Sequence, residues 1–258
     1  MSSTADTDAR IALGVGAIVG ESFSIFFKNL IPVTLMGLIA SLLSLLLTGA
    51  LVGVDVVIGV ALPDMSTPAG VSLWAITLVL QIAFYSLASA LLVQLAYDAK
   101  LGNPIQIGRY ISPAIRAIVP VAVLSIVAGL MAGVASIALI IPGLWVYAVF
   151  SVVTPAVVIE RIGFGGLGRS ADLTKEYRWP ILGALILIGI CVGIINFVGP
   201  FLAGILMVNA GILLASIAYV VTSALGLGLS GISIALIYAR LREIKEGVTV
   251  DQIASVFD

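Results

Sequence analysis

The chain has 258 residues, of which 61% are hydrophobic and 10% are charged. Ordinary soluble domains carry about 25% charged residues, so this chain has too little polar surface to cover a soluble globule. The composition excludes a soluble enzyme and a disordered regulator. The net charge of -1 leaves no basic excess, and nucleic acid is therefore not an expected partner.

Several kinds of catalytic or metal site are also excluded by residue counts. Histidine is absent, and Cys191 is the single cysteine. Zinc sites draw on several Cys or His ligands, a disulfide needs two cysteines and a Ser-His-Asp triad needs His. The sequence also lacks a P-loop and a GxSxG motif. We therefore expect a protein without catalytic activity and without metal or cofactor.

The N-terminal segment 1–10 is polar. It lacks the basic start, apolar core and small-residue cleavage site of a secretory signal, so we expect a free tail that is retained. The apolar part of the chain begins after it.

Charge-free segments give the number of membrane spans. A bilayer core of about 30 Å takes about 20 helical residues. Segments 29–54 and 65–97 each have room for one helix, and segments 117–159 and 179–239 have room for two each. The sequence therefore predicts an all-α integral membrane protein with six transmembrane helices, at about 31–54, 71–97, 118–140, 143–160, 181–207 and 212–239.

Each of the two long segments needs a turn. Residues 141–143, Ile-Pro-Gly, are the predicted break in the first, because Pro removes a donor and Gly permits a bend. Residues 209–211 are the predicted break in the second. Pro200 is the alternative position of that break, and we interpret it instead as a kink within the fifth helix.

The distribution of Lys and Arg predicts the orientation. With six spans, all 12 cations fall in the tail, the 98–117 and 160–180 loops and the C-terminal segment, which lie on one side. Cytoplasmic loops carry such an excess of Lys and Arg. We therefore expect a multi-pass protein of the bacterial inner membrane with both termini in the cytoplasm.

Three segments of similar pattern predict a threefold repeat. They run from Gly to Pro over residues 20–32, 108–120 and 168–180, and an apolar helix follows each. Each segment is charged and amphipathic, as in a helix that lies at the membrane interface. Pro suits the first turn of the descending helix, where its missing N–H is unneeded. The repeat unit is an interfacial amphipathic helix plus two spans.

The repeats divide a single membrane domain, 1–258, at about 11–97, 98–160 and 161–247. Residues 248–258 are predicted to form a short C-terminal amphipathic helix. Small residues spaced four apart let helices pack closely in lipid, which predicts helix contacts through Gly129 and Gly133 and through Gly189 and Gly193. We interpret these as contacts within one compact bundle, and a dimer interface is the alternative.

Five short segments in the middle and near the end of the chain have a distinctive sequence. They are IPGLW at 141–145, PAVVIE at 155–160 and GRSADLTK at 168–175, followed by Trp179, with YARLR at 238–242 and KEG at 245–247 near the end. With these segments the chain resembles the bacterial inner-membrane proteins grouped with the membrane domain of glycerophosphoryl diester phosphodiesterases, including the YciC-like proteins.

The resemblance implies a six-helix membrane unit of largely uncharacterised role and no catalytic assignment. The soluble catalytic domain that accompanies some members is not present, and the family's catalytic histidines have no counterpart in a chain without His. The positions carried over as members of the motif are Pro142, Gly143, Pro155, Glu160, Arg169, Ser170, Leu173, Thr174 and Trp179.

The sequence leaves two functions open besides an enzyme that acts on lipid at the interface, which would rest only on Glu160 with nearby Arg and Ser. The first is a non-catalytic scaffold or accessory subunit that binds a membrane partner or lipids, whose anionic headgroups would meet cytoplasmic cations. The predicted headgroup contacts are Arg109, Arg116, Arg169, Lys175 and Arg178. The alternative is a transporter or channel for a small or lipid-like substrate, which a cavity reaching Gln81, Gln94 or Asn196 would favour.

Overall fold

The computed structural model describes residues 12–247, so the predicted tail at 1–10 and the predicted helix at 248–258 lie outside the described residues. Residues 12–247 form helices and connections without a strand. Six helical segments are long and apolar enough to cross a membrane, which confirms the predicted fold class. They are Leu30–Val52, Pro68–Leu101, Ile107–Ile137, Ile140–Glu160, Arg178–Ala210 and Ile212–Glu246.

We number the described helices in chain order. The first five are α1 (Val15–Lys28), α2 (Leu30–Val52), α3 (Val54–Val57), α4 (Pro68–Leu101) and α5 (Ile107–Ala138). The next five are α6 (Ile140–Phe150), α7 (Val153–Glu160), α8 (Gly166–Thr174), α9 (Arg178–Ala210) and α10 (Ile212–Glu246). A 3-10 turn at Gly163–Gly165 lies between α7 and α8.

The predicted break between the last two spans is confirmed. Gly211 has a φ of 87° and separates α9 from α10. Glycine adopts this backbone conformation at little cost because it has no Cβ. Pro200 lies inside the continuous helix α9, as predicted, and does not end it.

The predicted break at 141–143 is wrong by a few residues. The chain turns at Leu139, which is extended, and Pro142 lies in the first turn of α6. The fourth span is also interrupted, because α6 ends at Phe150 and α7 begins at Val153 with Pro155 in its first turn. A proline cannot bond the carbonyl four residues before it and clashes with that carbonyl, which explains both interruptions.

The helix boundaries agree with the predicted repeat unit at two of its three prolines. Pro32 and Pro180 lie in the first turns of α2 and α9, each after a break that separates a preceding shorter helix. Pro120 instead lies inside α5, which runs unbroken from the predicted interfacial segment into the span. The threefold repeat therefore stays a prediction.

α10 is at the centre of the bundle and packs against α2, α4 and α9. Glycines allow the close approach of these helices. A Cβ on Gly37 would lie 2.7 Å from the carbonyl oxygen of Ala224, and a Cβ on Gly231 would lie 2.8 Å from the Cβ of Leu92. Both contacts are too short for any side chain to be added without moving a helix.

The predicted packing of the bundle through four other glycines is wrong, and a dimer interface through them stays a prediction. A Cβ added at Gly129 or Gly133 of α5, or at Gly189 or Gly193 of α9, would meet nothing within 4 Å. α5 and α9 are the outer helices of the bundle and are the least buried of the six spans. These glycines therefore lie on exposed faces of the bundle.

The described Lys and Arg residues lie at one end of the bundle, which we call the cationic face. It is formed by the ends of α1, α4, α7 and α10, by α8 and by the starts of α5 and α9. Contacts across this face join distant parts of the chain, as Lys100 pairs with Glu21 at 3.4 Å and Arg240 Nη2 donates to the carbonyl of Ala12 at 3.3 Å.

The buried apolar residues form two clusters. The larger cluster includes Leu95 of α4 and Ile237 of α10, which are fully buried near the cationic face. The smaller cluster joins α2, α3, α9 and α10 towards the opposite end, where Ile58 is fully buried. Ile137 of α5 and Leu213 of α10, at the same end, are largely exposed.

Candidate functional site

A cavity of about 560 Å³ lies at the cationic face, between the end of α4, the first half of α5 and the end of α7. Sites for small molecules typically have volumes of about 300–1,000 Å³. The local sequence explains its position. Gly102 ends α4 with a φ of 71°, and a short connection then brings α5 back along α4.

Arg116 indicates the depth of the cavity in the bilayer. A helix rises about 1.5 Å per residue, so segment 116–138 of α5 covers about 33 Å, close to the thickness of the hydrocarbon core. Arg116 therefore lies about one hydrocarbon thickness from the far end of α5. Pro120, one turn further along α5, lines the same cavity.

Two buried polar side chains of α4 line the cavity. Tyr97 is 5% exposed, and its hydroxyl has no hydrogen-bond partner within residues 12–247. Gln94 is 6% exposed, and its Nε2 donates to the carbonyls of Ala90 and Tyr110, each at 3.1 Å. The bond to Tyr110 ties α4 to α5 beneath the cavity. The Tyr97 hydroxyl itself is closed off from the cavity, and the Tyr97 ring packs edge-on against the ring of Tyr238, with 6.3 Å between the ring centroids.

Asp98 is the acidic group of the cavity, and neighbouring side chains already bind it. The Tyr110 hydroxyl donates to Asp98 Oδ2, and Asn103 Nδ2 lies 3.5 Å from Asp98 Oδ1. The carboxylate thus positions Tyr110 against α4. It carries the one negative charge among the residues that line the cavity.

Three arginines supply positive charge to the cavity, namely Arg109 and Arg116 of α5 and Arg161 after α7. Arg116 is exposed and forms no ion pair with the described part of the chain. Arg161 ends α7 in the left-handed conformation, with a φ of 55°. That conformation favours Gly, so an Arg at this position indicates that its side chain has a use.

The deeper walls of the cavity are apolar. They are formed by Ala117 and Pro120 of α5 and by Val157 and Val158 of α7. The cavity is therefore amphipathic, with guanidinium groups on one side and apolar side chains further along the helices. Such an arrangement can hold a molecule that has an anionic head and an apolar tail.

The structure places the five predicted headgroup contacts in two groups. Arg109 and Arg116 line the cavity, whereas Arg169, Lys175 and Arg178 lie elsewhere on the cationic face. Lys175 is exposed. Arg178 stacks its guanidinium 4.3 Å from the ring centroid of Trp145, and its Nε is buried without a partner in residues 12–247.

Arg169 belongs to a network of charges that joins α7, α8 and α10. Its Nε lies 2.9 and 2.8 Å from the two carboxylate oxygens of Glu160, and its Nη2 bonds Glu246. Arg242 Nε donates to Glu246 at 2.7 Å, and the Tyr238 hydroxyl donates to Glu160 at 2.5 Å. These bonds occupy the guanidinium groups of Arg169 and Arg242, which a lipid phosphate would otherwise contact.

Electrostatics at Arg169 agree with that structural role. Burial lowers the pKa of the Arg169 guanidinium, but hydrogen bonds to Glu160 and Glu246 outweigh burial and raise the pKa above its ordinary value. The Arg169 side chain is 26% exposed and that of Glu160 is 16% exposed. The Arg169–Glu160 pair holds α8 against the end of α7.

Two hydroxyls among the motif positions hydrogen-bond a backbone carbonyl at the interruption between α6 and α7. Ser170 Oγ and Thr174 Oγ1 donate to the carbonyl of Val149 at 2.8 and 3.1 Å, and Leu173 beside them is buried. The break leaves the last carbonyls of α6 without helical partners, as at any helix end. α8 supplies the missing donors.

The remaining motif positions lie at the starts of helices, at a close helix contact or at the expected membrane interface. Pro142 and Pro155 begin helices, and Gly143 packs directly against Ser136. Trp179 is 64% exposed at the start of α9, a depth at which Trp is enriched in membrane proteins. Most of the motif therefore shapes the fourth span and its connection to α9.

Sequence reasoning missed Tyr97, Asp98 and Arg161 as cavity residues. Tyr97 and Asp98 stand at the end of an apolar span, where polar residues are ordinary. Their proximity to Arg161 depends on how α4 packs against α7. The sequence did indicate the cavity at Gln94, a polar residue in an apolar segment. We named Gln94 among the residues that a cavity could reach.

Comparisons with protein-family models, with curated proteins and with solved structures find no match for the chain. The described residues hold no group of three or more His, Cys, Asp or Glu that could bind a metal ion. The fold and the six apolar helices define the class as an all-α, multi-pass membrane protein.

Proposed function

We propose that the protein is a non-catalytic accessory or scaffold protein of the bacterial inner membrane that binds an anionic lipid in the cavity between α4, α5 and α7. Both termini face the cytoplasm in this proposal, since Lys and Arg are retained there. The observation that carries the proposal is an amphipathic cavity in which Arg116 stands beside apolar walls, about one hydrocarbon thickness from the far end of α5. A membrane-protein partner and the resemblance to the phosphodiesterase membrane domains remain part of the proposal.

The geometry favours a lipid over a water-soluble ligand for two reasons. The apolar walls continue from the arginines into the hydrocarbon layer, where a soluble anion would lose its hydration. Arginine also binds phosphate through a planar fork of donors, which suits the headgroup of a phospholipid.

The alternative is a transporter or channel for a small or lipid-like substrate, and one observation favours it. The cavity reaches Gln94, a polar residue within an apolar span. Vesicles containing the purified protein and a fluorescent phospholipid test this alternative. Translocation faster than in protein-free vesicles supports transport, and an equal rate supports binding alone.

Native mass spectrometry of the purified chain tests lipid binding. Micelles with equal amounts of phosphatidylglycerol and phosphatidylcholine should yield mainly phosphatidylglycerol-bound protein, and Arg116→Gln should reduce that species. Lys28→Gln is the matched control, because Lys28 is exposed on the cationic face but lies outside the cavity. Equal losses in both variants, or no preference for the anionic lipid, would contradict the proposal.

A further inference from the structure

We infer that the C-terminal segment 248–258, which lies outside the described residues, binds in the cavity between α4, α5 and α7 and competes there with the proposed lipid. The binding of the segment is independent of the proposed function, whereas the competition rests on it. Three observations carry the inference, namely the place where the described chain ends, the charge of the segment and the lining of the cavity.

The described chain ends close to the cavity. Gly247 ends α10 in the left-handed conformation, with a φ of 63°, which turns the chain away from the helix axis. The preceding residue, Glu246, shares the guanidinium group of Arg169 with Glu160. Glu160 is followed directly by Arg161, which lines the cavity. The start of the segment is therefore linked to the cavity wall through one shared guanidinium group.

The segment is long enough to cross the cavity. A helix rises about 1.5 Å per residue, so segment 248–258 covers about 16 Å even when it is fully helical. Packed helices have axes about 8–10 Å apart. A segment that leaves the end of α10 beside α7 therefore reaches α5 on the other side of the cavity.

The charge of the segment matches a cationic site and does not match a membrane surface. The segment contains Asp251 and Asp258 and no Lys or Arg. Amphipathic helices that lie on membranes are typically rich in Lys and Arg, because the anionic leaflet attracts cations. Arg116 of the cavity is exposed and forms no ion pair with the described part of the chain. A carboxylate of the segment can therefore pair with Arg116.

The apolar residues of the segment match the deeper walls of the cavity. Ile253 and Phe257 are four residues apart, a spacing that places two side chains on the same face of a helix. The walls from α5 and α7 are apolar, and a cavity of about 560 Å³ has room for a few side chains rather than for a whole helix. We therefore place Ile253 and Phe257 in the cavity and the rest of the segment over its mouth. Removal of their apolar surface from water stabilises this arrangement.

The segment and a lipid would use the same groups of the cavity. Each places an anionic group at Arg116 and apolar groups against the walls, so both cannot be bound at once. The segment is attached to α10, and a short flexible attachment gives an effective concentration on the order of millimolar. A lipid must therefore displace the segment, and substitutions that weaken the segment should strengthen lipid binding.

Disulfide formation tests the docking on the purified full-length chain in a Cys191→Ala background. Ser112→Cys places a thiol in the cavity lining, and Ser255→Cys places one in the segment. Oxidation should link this pair, and short-chain phosphatidylglycerol should reduce the yield. Ser24→Cys with Ser255→Cys is the matched control, because Ser24 is exposed on α1, which does not line the cavity.

Native mass spectrometry of phosphatidylglycerol binding tests the competition. Asp251→Asn combined with Asp258→Asn should raise the fraction of lipid-bound protein roughly two- to fivefold, the effect of a partly exposed ion pair. Asp172→Asn combined with Glu176→Gln is the matched control. It removes the same charge from two exposed positions outside the cavity and should leave lipid binding unchanged.

The outcomes separate the inference from the proposed function. A yield no higher for the Ser112→Cys pair than for the Ser24→Cys pair would overturn the docking, while a preference for anionic lipid would still support the proposed function. An equal rise of lipid binding in the two double variants would assign the effect to net charge and overturn the competition. Cross-linking to the cavity without any preference for anionic lipid would overturn the proposed function and leave the docking in place.

Discussion

Glu160 and Arg169 form a side-on ion pair in which one guanidinium nitrogen contacts both carboxylate oxygens, at 2.8 and 2.9 Å. The two residues come from α7 and α8, on either side of a turn. Tyr238 of α10 adds a hydroxyl bond at 2.5 Å to the same carboxylate. Three elements at the cationic face are therefore joined at one side chain.

Glu160→Gln should lower stability by about 2 kcal/mol, because it removes the charge that Arg169 and Tyr238 share. The measurement is the apparent melting temperature of the purified chain in detergent. Glu243→Gln is the control, since the Arg240–Glu243 pair is more exposed and should be worth less than about 1 kcal/mol. A Glu160→Gln protein as stable as the control would contradict the structural role of the network.

Thr174→Val combined with Ser170→Ala should destabilise the interrupted fourth span. The carbonyl of Val149 then loses both donors, at a cost of about 1–3 kcal/mol. Each single variant leaves one donor and should cost less than half of the double variant. Ser233→Ala is the control, because that hydroxyl bonds a carbonyl within its own helix. Additive single effects would show that the two hydroxyls do not share the acceptor.

Gly37→Ala should destabilise the bundle, whereas Gly193→Ala should be neutral or stabilising. The new methyl at Gly37 meets the backbone of Ala224 at 2.7 Å, and only a shift of α2 from α10 can relieve the contact. The methyl at Gly193 meets nothing within 4 Å, and the exchange improves helix propensity by up to about 1 kcal/mol. Melting temperatures of the two variants in detergent provide the measurement. The opposite order would contradict the packing of α10 against α2.

Arg161→Gly should be more stable than Arg161→Ala by about 1 kcal/mol, because the backbone has a φ of 55° and only Gly adopts it without strain. Both variants lose the guanidinium and should bind less anionic lipid. Melting temperature and lipid retention are measured together on each variant. A Gly variant that is both less stable than the Ala variant and unchanged in lipid retention would refute the assigned use of Arg161.

The orientation is tested by labelling intact cells with a membrane-impermeant maleimide in a Cys191→Ala background. Leu62→Cys lies in the highly exposed connection between α3 and α4, opposite the cationic face, and should be labelled. Lys175→Cys lies on the cationic face and should be labelled only after the cells are opened. Reversal of this result would place the cationic face in the periplasm.

The boundaries of the helices show which local signals are sufficient for prediction. The turn at Gly211 was predictable because glycine tolerates a φ of 87°. The turn near Pro142 was displaced to Leu139, since a proline disturbs the helix before it and not at its own position. Pro120 is accommodated inside α5, so the same residue type has different effects in different surroundings.

The candidate site was predictable only in part. Arg109 and Arg116 were identified because a charge at the end of an apolar span faces lipid headgroups. Arg169 was assigned to the same task, but it is occupied by Glu160 and Glu246, which lie on other helices. The pattern of charges along the chain does not reveal which cations are paired across helices.

The sequence alone determined the all-α class and six spans, because hydrocarbon requires every backbone polar group to be bonded within a helix and sets the length of that helix. Only the tertiary structure decided which glycines bring helices together and which side chains line the cavity. Gly37 and Gly193 are alike in the sequence, and they differ because α10 packs against Gly37, whereas a Cβ on Gly193 would meet nothing within 4 Å. The local composition of each segment determines whether it enters the membrane as a helix. Contacts between helices that are distant in the sequence determine which side chains form the cavity.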